Sequence, residues 1–223
     1  MKKSGLSGHF WLDAGCGAGL LAELLQEELS ELKLFRSDLA FGSLKRINAQ
    51  EPGALVSIQS DIEYMPFKTG MFDGVVVSSV LHWLKDLQKG LRELTRVLKP
   101  DGRIVFAAFL QGSFYEICAL RERMGLSVPV QFIHDDEIPV LMQQCGLDLM
   151  EVSVKSEKHY FHSAWHVLKY LSEIGSTAIS GKRLSRSTLL SFCRDYETLF
   201  GTSNGVPLSC RYACGIAKKP DRT

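Results

Sequence analysis

The first 110 residues alternate between short runs of β-branched and aromatic residues and longer runs whose apolar positions recur every three or four residues. The first kind of run predicts β-strands, and the second predicts amphipathic helices. Strands are predicted at 9–14, 33–38, 55–59, 72–78 and 103–108, with helices beginning near Leu20, Leu44 and Leu87. The segment 99–102 has proline at its second position, which predicts a turn before the fifth strand. This alternation is typical of a doubly wound α/β sheet.

The pattern changes after Phe109, where helical stretches dominate. Helices are predicted at 112–124, 135–145, 163–174 and 188–200, with a joint rich in Gly, Ser and Thr at 175–187. Only two further strands are predicted, at 147–154 and 209–217. We expect both to complete a seven-stranded, mostly parallel sheet, with a helical cap inserted before the last strand. The chain is thus predicted to form one domain, with its core at 9–154 and 209–218 and its cap at about 112–146 and 160–205.

Composition excludes several classes of protein. Lys and Arg number 26 against 25 Asp and Glu, which argues against general nucleic-acid binding. No apolar run approaches the ~20 residues of a membrane-spanning helix, and the first residues lack a secretory core, so we expect a cytoplasmic protein with no membrane partner. The six cysteines form no C-x-x-C pair and share no ligand spacing with histidine, which predicts buried thiols and no metal site.

Charge is uneven along the chain. From Lys155 to the end there are eleven basic residues and five acidic ones, and the basic residues cluster at Lys182, Arg183 and Arg186. Two interpretations stay open, since such a run can dock an acidic partner or form an ordinary solvated loop.

Candidate chemistry begins where the first strand meets the first helix, in the sequence LDAGCGAG at 12–19. Glycines at such a junction let the backbone approach a ligand at a helix N-terminus. Position 20 is Leu, so the dinucleotide pattern G-x-G-x-x-G is not met. A carboxylate beside the loop, from Asp13, opposes a pyrophosphate but suits a ligand with an ammonium group. S-adenosylmethionine is such a ligand.

Two further acids follow the next strands in order. Asp38, nineteen residues after Gly19, ends the second strand, where a carboxylate can accept both ribose hydroxyls. Asp61 follows the third strand, where it can accept the adenine amino proton while Ile62 packs on the ring. The alternative is that both acids only cap helices or turns. Three suitable acids in sequence favour the S-adenosylmethionine interpretation.

These residues resemble those of the class I S-adenosylmethionine-dependent methyltransferases, a Rossmann-like fold. The resemblance implies an antiparallel last strand and a transferred methyl group above the ends of strands four and five. It implies that the segment after strand four, with His82 and Trp83, contacts the substrate. The implied cofactor-binding residues are Asp13, Gly15, Cys16, Gly17, Gly19, Asp38, Leu39, Asp61, Ile62 and Ser78.

Five later stretches narrow the resemblance, at 110–117, 131–138, 170–177, 184–187 and 206–209. Together they resemble the malonyl-acyl-carrier-protein O-methyltransferases of biotin synthesis (the BioC family). This resemblance implies methyl transfer to the free carboxylate of a malonyl thioester. It also implies that, if the basic cluster at 182–186 docks a partner, that partner is an acyl carrier protein. Candidates for positioning the substrate are His82, Trp83, Tyr115, Arg121 and Arg123.

The chain departs from that family at two places. The family has a longer segment ahead of strand one, which covers the cofactor, whereas nine residues precede Phe10 here, so we expect the lid to be missing. An aromatic residue commonly follows Pro-Leu-Ser, but this chain has Cys210, and Tyr212 on the same strand face could compensate. Two alternatives therefore remain open: a methyltransferase acting on another small acid or quinone-type acceptor, and a non-catalytic relative that binds the cofactor or carrier.

Overall fold

The computed structural model describes residues 9–17, 19, 21, 32–50, 56–128, 130–173 and 185–221. The chain divides into two compact units. Unit one contains 1–108, 133–153 and 213–223, and unit two contains 109–132 and 154–212. The single domain predicted from the sequence stays a prediction.

Seven strands form one sheet in the order β3-β2-β1-β4-β5-β7-β6. The pairs β1–β2, β1–β4, β2–β3 and β4–β5 are parallel. The predicted seven-stranded, mostly parallel α/β fold is therefore confirmed. The strands are β1 (Phe10–Ala14), β2 (Lys33–Asp38), β3 (Ser57–Gln59), β4 (Phe72–Ser78), β5 (Leu98–Phe109), β6 (Asp148–Phe161) and β7 (Val206–Lys218).

The described helices occur close to the predicted positions. They are α1 (Phe41–Gln50), α2 (Leu87–Val97), α3 (Tyr115–Arg123), α4 (Glu137–Gln144), α5 (Ala164–Glu173) and α6 (Arg186–Phe200), with a short 3-10 helix at Leu81–Trp83. The helix predicted after the glycine loop lies almost entirely outside the described residues. None of the described helices is both long and apolar enough to cross a membrane.

Unit one owes its core to the apolar runs that predicted its strands. Trp11, Leu34 and Val76 come from three adjacent strands and pack in one buried cluster. The continuous run of valines in β4 is buried because a central parallel strand is covered on both faces. Gly74 lies directly against the Trp11 ring, since a Cβ added there would come within 2.4 Å of three ring atoms.

In unit two, a buried aromatic group organises the helices. Phe192 and Tyr196 lie one turn apart on α6, fully covered, with ring centroids 6.0 Å apart. The hydroxyl of Tyr196 donates a hydrogen bond of 2.6 Å to the carbonyl of Pro207, which satisfies its polar group inside an apolar core. Phe192 and Tyr196 thus belong to the core of this unit, and the half-buried Phe200 packs edge-on against Tyr196 at 5.5 Å between ring centroids.

The turn predicted at 99–102 is instead part of strand β5, which begins at Leu98. On β4, Phe72 pairs with Leu98, but Gly74, two residues later, pairs with Arg103, so β5 bulges between Leu98 and Arg103. Asp101, within this bulge, has a φ of 63°. The reason is pairing with the end of β7, because the amide of Asp101 donates to the carbonyl of Lys219 and the amide of Lys219 donates to the carbonyl of Gly102. The turn residues survive as an irregularity within a longer strand.

Strand β6 extends seven residues beyond its predicted end, because its polar second half gives no hydrophobic signal. Every side chain from Met150 to Tyr160 is exposed. Strand β7 is antiparallel to β5, since Lys219 bonds to Gly102 at one end while Leu110 donates to the carbonyl of Arg211 at the other.

Candidate functional site

The glycine loop leaves β1 in a left-handed conformation that only glycine adopts without strain. Gly15, Gly17 and Gly19 have φ values of 77°, 53° and 86°. The amides of Gly15 and Cys16 both donate to the carbonyl of Ser37, which anchors the start of the loop on β2. Space around the loop differs between glycines, because a Cβ at Gly15 would lie 2.4 Å from Val80 while one at Gly17 would meet nothing within 4 Å. The loop therefore offers an open face at Gly17.

Asp38 lies at the end of β2, beside this open face. Its Oδ2 atom accepts from the amide of Gly17 at 2.8 Å, and its Oδ1 atom accepts from the amide of Ala40 at 2.7 Å. Each carboxylate oxygen has two lone pairs, so both retain capacity for a further donor. The bond to Ala40 shows that Asp38 organises a local turn, as the alternative of a turn-capping residue predicted. This role is compatible with ligand binding. The next residue, Leu39, is 66% exposed.

Asp13 is the most unusual acid of the site. It is 1% exposed, and among the described residues its Oδ2 atom has no hydrogen-bond partner. Burial raises its pKa to about 7, with a smaller raising effect from Asp38 and an opposing effect from Arg36, the residue opposite it on β2. A buried carboxylate with an unused acceptor is costly unless it serves a ligand.

Asp61 and Ile62 begin the turn after β3. The Oδ1 atom of Asp61 accepts from the amide of Glu63 at 2.9 Å, while Ile62 is 6% exposed. The amide of Ser60 bonds to the carbonyl of Asp38, so the ends of β2 and β3 are joined beside the glycine loop. The predicted cofactor residues of β1, β2 and β3 thus lie along one edge of unit one.

These residues suit S-adenosylmethionine by three observations. The space at Gly17 can admit a ligand where a Cβ would stand. The Oδ2 atom of Asp13 offers an acceptor for an ammonium group, and Asp38 offers acceptors for hydroxyls. The thiol of Cys16 is buried and its pKa is raised to about 12, so it contributes packing and no nucleophile.

The segment after β4 continues the same edge. Ser78 ends β4, and Ser79 has a φ of 57°, a strained value of the kind that collects at functional sites. His82 is 3% exposed and lies against Trp83 with ring centroids 5.0 Å apart. Burial lowers the pKa of His82 to about 4, so its ring is neutral at pH 7.

The remaining predicted substrate residues belong to unit two. Tyr115 is 60% exposed and packs edge-on against Phe200 at 6.2 Å. Arg121 is buried, and its Nε atom donates to the carbonyl of Ser127 at 2.8 Å. That contact supports a structural role for Arg121, while its role toward substrate stays a prediction. Arg123 is exposed at the end of α3.

Sequence reasoning missed the buried carboxylate of Glu116. Its two oxygens accept from the amide of Ser209 at 2.9 Å and from the hydroxyl of Ser209 at 2.6 Å. The amide of Phe114 also donates to the carbonyl of Ser209, and Phe114 is held at a φ of 53°. The only sequence signal was that stretches 110–117 and 206–209 both carry the family resemblance, and here they are bonded to each other.

Some predicted features fall outside the described residues or differ from expectation. Lys182 and Arg183 are outside them, whereas Arg186 is exposed at the start of α6. All six cysteines are free thiols, but Cys118 and Cys193 are only half-buried and Cys214 is exposed, so the prediction of buried thiols holds only for Cys16, Cys145 and Cys210. No cluster of three or more potential metal ligands occurs within the described ranges.

Comparison with known proteins identifies the family. Residues 12–106 match the model of a methyltransferase domain. A malonyl-[acyl-carrier protein] O-methyltransferase of Chlorobium phaeovibrioides is 32% identical over 90% of this chain and 76% of its own length. The mitochondrial arginine-hydroxylase NDUFAF5 of Danio rerio is 30% identical over 94% of this chain and 68% of its own length.

Among solved structures, a Bacillus halodurans protein provisionally assigned as a methyltransferase superposes with a TM-score of 0.69 at 16% identity, covering 97% of this chain and 95% of the other. At that identity the likeness shows the fold alone. The sequence relatives show the family as well, since they are at least 30% identical to this chain over most of their own length. The chain belongs to the class I S-adenosylmethionine-dependent methyltransferases, with S-adenosylmethionine as its cofactor, and it resembles the malonyl-[acyl-carrier protein] O-methyltransferases among them.

Proposed function

We propose that this protein transfers a methyl group to the free carboxylate of a malonyl thioester, forming a methyl ester. The observation that carries the proposal is the bond between Glu116 and Ser209, which joins two of the stretches that resemble malonyl-acyl-carrier-protein methyltransferases. The 32% identity to such an enzyme supports the same conclusion.

The reaction asks little of catalytic side chains. S-adenosylmethionine supplies an electrophilic methyl group on a sulfonium when bound. A malonyl carboxylate has a pKa near ~4 and is ionised at pH 7, so no general base is needed. The protein's contribution is to align the acceptor oxygen with that methyl group and to keep water away.

For the cofactor, we propose that three acids each hold one part of it. Asp13 would accept from the ammonium group, Asp38 from the ribose hydroxyls and Asp61 from the adenine amino group. Ile62 and Leu39 would pack on the adenosine, and the glycine loop with Ser78 would face the methionine portion. The open space at Gly17 and the unused Oδ2 atom of Asp13 support this arrangement.

For the acceptor, we propose His82 and Trp83 as positioning residues, and a role for Tyr115, which belongs to unit two, stays a prediction. A neutral, buried imidazole can donate one N–H to a carboxylate without adding a charge. The internal bond of Arg121 to Ser127 makes Arg121 the weakest of the predicted substrate residues.

A panel of acceptors tests the proposal directly. The purified protein is incubated with S-adenosylmethionine labelled in its methyl group and with malonyl, succinyl or glutaryl thioesters or a quinone-type acceptor. We expect label in a base-labile ester of the malonyl thioester at the highest kcat/KM. Transfer to another acceptor, or saturable cofactor binding with no transfer, would replace this proposal with one of its two alternatives.

The likeness to arginine-hydroxylase NDUFAF5 favours a second candidate, in which arginine is the modified group. Mass spectrometry of an arginine-containing peptide, incubated with the protein, dioxygen and a reductant, tests this candidate, because hydroxylation would add to the peptide one oxygen atom taken from dioxygen, while the other oxygen atom leaves as water. We expect no change of the peptide under conditions in which the malonyl thioester is methylated.

A further inference from the structure

Glu63 is a buried acid that none of the roles above uses. It is 8% exposed, and its Oε1 atom accepts from the amide of Lys85 at 2.7 Å and from the amide of Asp86 at 3.1 Å. A charged acceptor shared by two backbone amides is a strong and directional contact. Glu63 therefore fixes the chain just after the 3-10 helix that carries His82 and Trp83.

The same residue is tied to the proposed adenine contacts. Its own amide donates to the Oδ1 atom of Asp61 at 2.9 Å, and it directly follows Ile62. Asp86, whose amide donates to Glu63, in turn caps α2, because its side chain accepts from the amide of Lys89 at 2.9 Å. A continuous set of hydrogen bonds thus runs from Asp61 through Glu63 to residues 85 and 86.

The 3-10 helix at Leu81–Trp83 is closed by its own backbone hydrogen bonds. Its internal bonds join Trp83 to Val80 and Leu84 to Leu81. The Leu84 side chain packs on Gly90, where an added Cβ would lie 2.5 Å from it. The two hydrogen bonds to Glu63 and this packing contact therefore hold the chain where the helix ends.

We propose that Glu63 is a positioning residue that couples cofactor binding at Asp61 and Ile62 to the placement of His82 and Trp83. The inference rests on the cofactor part of the proposed function. Ordering the turn at 61–63 fixes the Glu63 backbone, and its carboxylate then fixes residues 85 and 86. By linkage, an ordered segment at 81–86 favours cofactor binding to the same extent.

The chain offers a matched control in Glu93. Its Oε2 atom accepts from the amide of Met65 at 3.0 Å, and Arg96 beside it donates to the carbonyls of Met65 and Phe67. Glu93 thus anchors the same loop to α2 and forms no hydrogen bond to the described residues 81–86. Glu93→Ala should lower stability by loosening the loop while leaving the coupling intact.

Hydrogen–deuterium exchange with S-adenosylhomocysteine tests the coupling without any acceptor. In the parent protein, saturating ligand should slow exchange at 61–65 and at 81–86, the latter by about fivefold, the lower end of typical couplings. In Glu63→Ala, slowing at 61–65 should persist while slowing at 81–86 disappears. Glu63→Gln, which keeps a neutral acceptor, should give an intermediate slowing at 81–86, and Glu93→Ala should show the same slowing at 81–86 as the parent.

Persistent slowing at 81–86 in Glu63→Ala, or equal loss in Glu93→Ala, would overturn the inference. Absence of any ligand effect at 61–65 in the parent would overturn it together with the cofactor assignment. Failure of malonyl methylation with the coupling intact would reject the proposed substrate alone. If Glu63→Ala does not fold, Glu63→Gln carries the test, and parent-like slowing at 81–86 in it would count against the inference.

Discussion

The amide of Gly17 donates a hydrogen bond of 2.8 Å to the Oδ2 atom of Asp38, linking the glycine loop to the end of the neighbouring strand. The carboxylate is therefore oriented by the protein's own backbone before any ligand arrives. Because a second bond from Ala40 fixes the other oxygen, the carboxylate cannot rotate freely. Preorganisation of this kind reduces the entropy lost on binding.

Replacing Asp38 should weaken cofactor binding. We expect Asp38→Ala to reduce the affinity for S-adenosylhomocysteine by about 1 to 3 kcal/mol, because the acceptor for the ribose and the orientation of the loop are both lost. Isothermal titration calorimetry measures the change. Asp73→Ala is a matched control, since Asp73 also accepts two backbone amides, from His9 and Phe10, at the start of a strand. It should alter stability and leave affinity unchanged, and unchanged affinity in Asp38→Ala would contradict the assignment.

Two glycines of the loop should respond differently to alanine. Gly15→Ala should strongly destabilise the protein, because its Cβ would lie 2.4 Å from Val80. Gly17→Ala meets no atom and should cost about 1 kcal/mol in stability from its positive φ, yet should largely abolish ligand binding. Thermal unfolding and calorimetry together give both numbers. Normal affinity in a folded Gly17→Ala protein would show that the ligand lies elsewhere.

Cofactor affinity should depend on pH through Asp13. Burial raises the pKa of Asp13 to about 7 in the free protein, so below that pH its carboxyl is protonated and must lose a proton to accept an ammonium group. We therefore expect affinity for S-adenosylhomocysteine to rise with pH up to about 7, by as much as about tenfold per unit, and then to level off. Asp13→Asn should bind more weakly and show no such rise.

Stability of the free protein provides an independent check on the same shift. A carboxyl whose pKa is raised on folding from 3.8 to about 7 binds its proton more tightly in the folded state. Its contribution to stability thus falls as pH rises from about 4 to about 7 and is constant above that. Asp13→Asn should remove this fall in chemical denaturation, and an unchanged pH profile would contradict the assigned shift.

The bond between Glu116 and Ser209 should be worth measuring as a pair. Glu116→Ala leaves two donors of Ser209 without their acceptor inside unit two, so we expect a loss of about 1 to 3 kcal/mol in unfolding free energy. Ser209→Ala removes only the hydroxyl and should cost less. A double-mutant cycle from urea denaturation should give a coupling of at least about 0.5 kcal/mol, and strict additivity would deny the interaction.

Charge reversal tests the proposed carrier partner. If Lys182, Arg183 and Arg186 dock an acidic acyl carrier protein, changing all three to Glu should slow methylation of the carrier-bound malonyl group in a salt-dependent way. Methylation of malonyl-pantetheine, which lacks the carrier and the phosphates of coenzyme A, should be nearly unaffected. Equal losses with both substrates would assign these residues to the fold or the active site.

Much of the sheet could be predicted because its strands are buried. Strand β4 begins and ends at the predicted residues, since a run of valines between turn residues has few alternatives. Prediction failed in the second half of β6, because its exposed residues carry no hydrophobic pattern. It also failed at Asp101, because hydrogen bonds to residues at the end of β7 make the predicted turn part of a strand.

The candidate site divides in the same way. The places of Asp13, Asp38 and Asp61 near the ends of β1, β2 and β3 could be predicted because local motifs mark those ends, and their roles toward the cofactor stay predictions. Glu63 and Glu116 could not, because their partners lie 22 and 93 residues away along the chain and no local pattern joins them. Burial of an acid becomes informative only when the backbone amides that satisfy it are known.

The distance in sequence between Glu116 and Ser209 has a consequence for synthesis of the chain. The acceptor of this bond leaves the ribosome long before its donors, because Ser209 on β7 lies 93 residues after Glu116. Until β7 has been made, the Glu116 carboxylate has no strand to accept from, so helix α3 should stay solvated and unit two should be completed only after β7 has left the ribosome. Nascent chains stalled before Val206 should therefore be far more sensitive to protease within 109–132 than chains in which β7 has emerged.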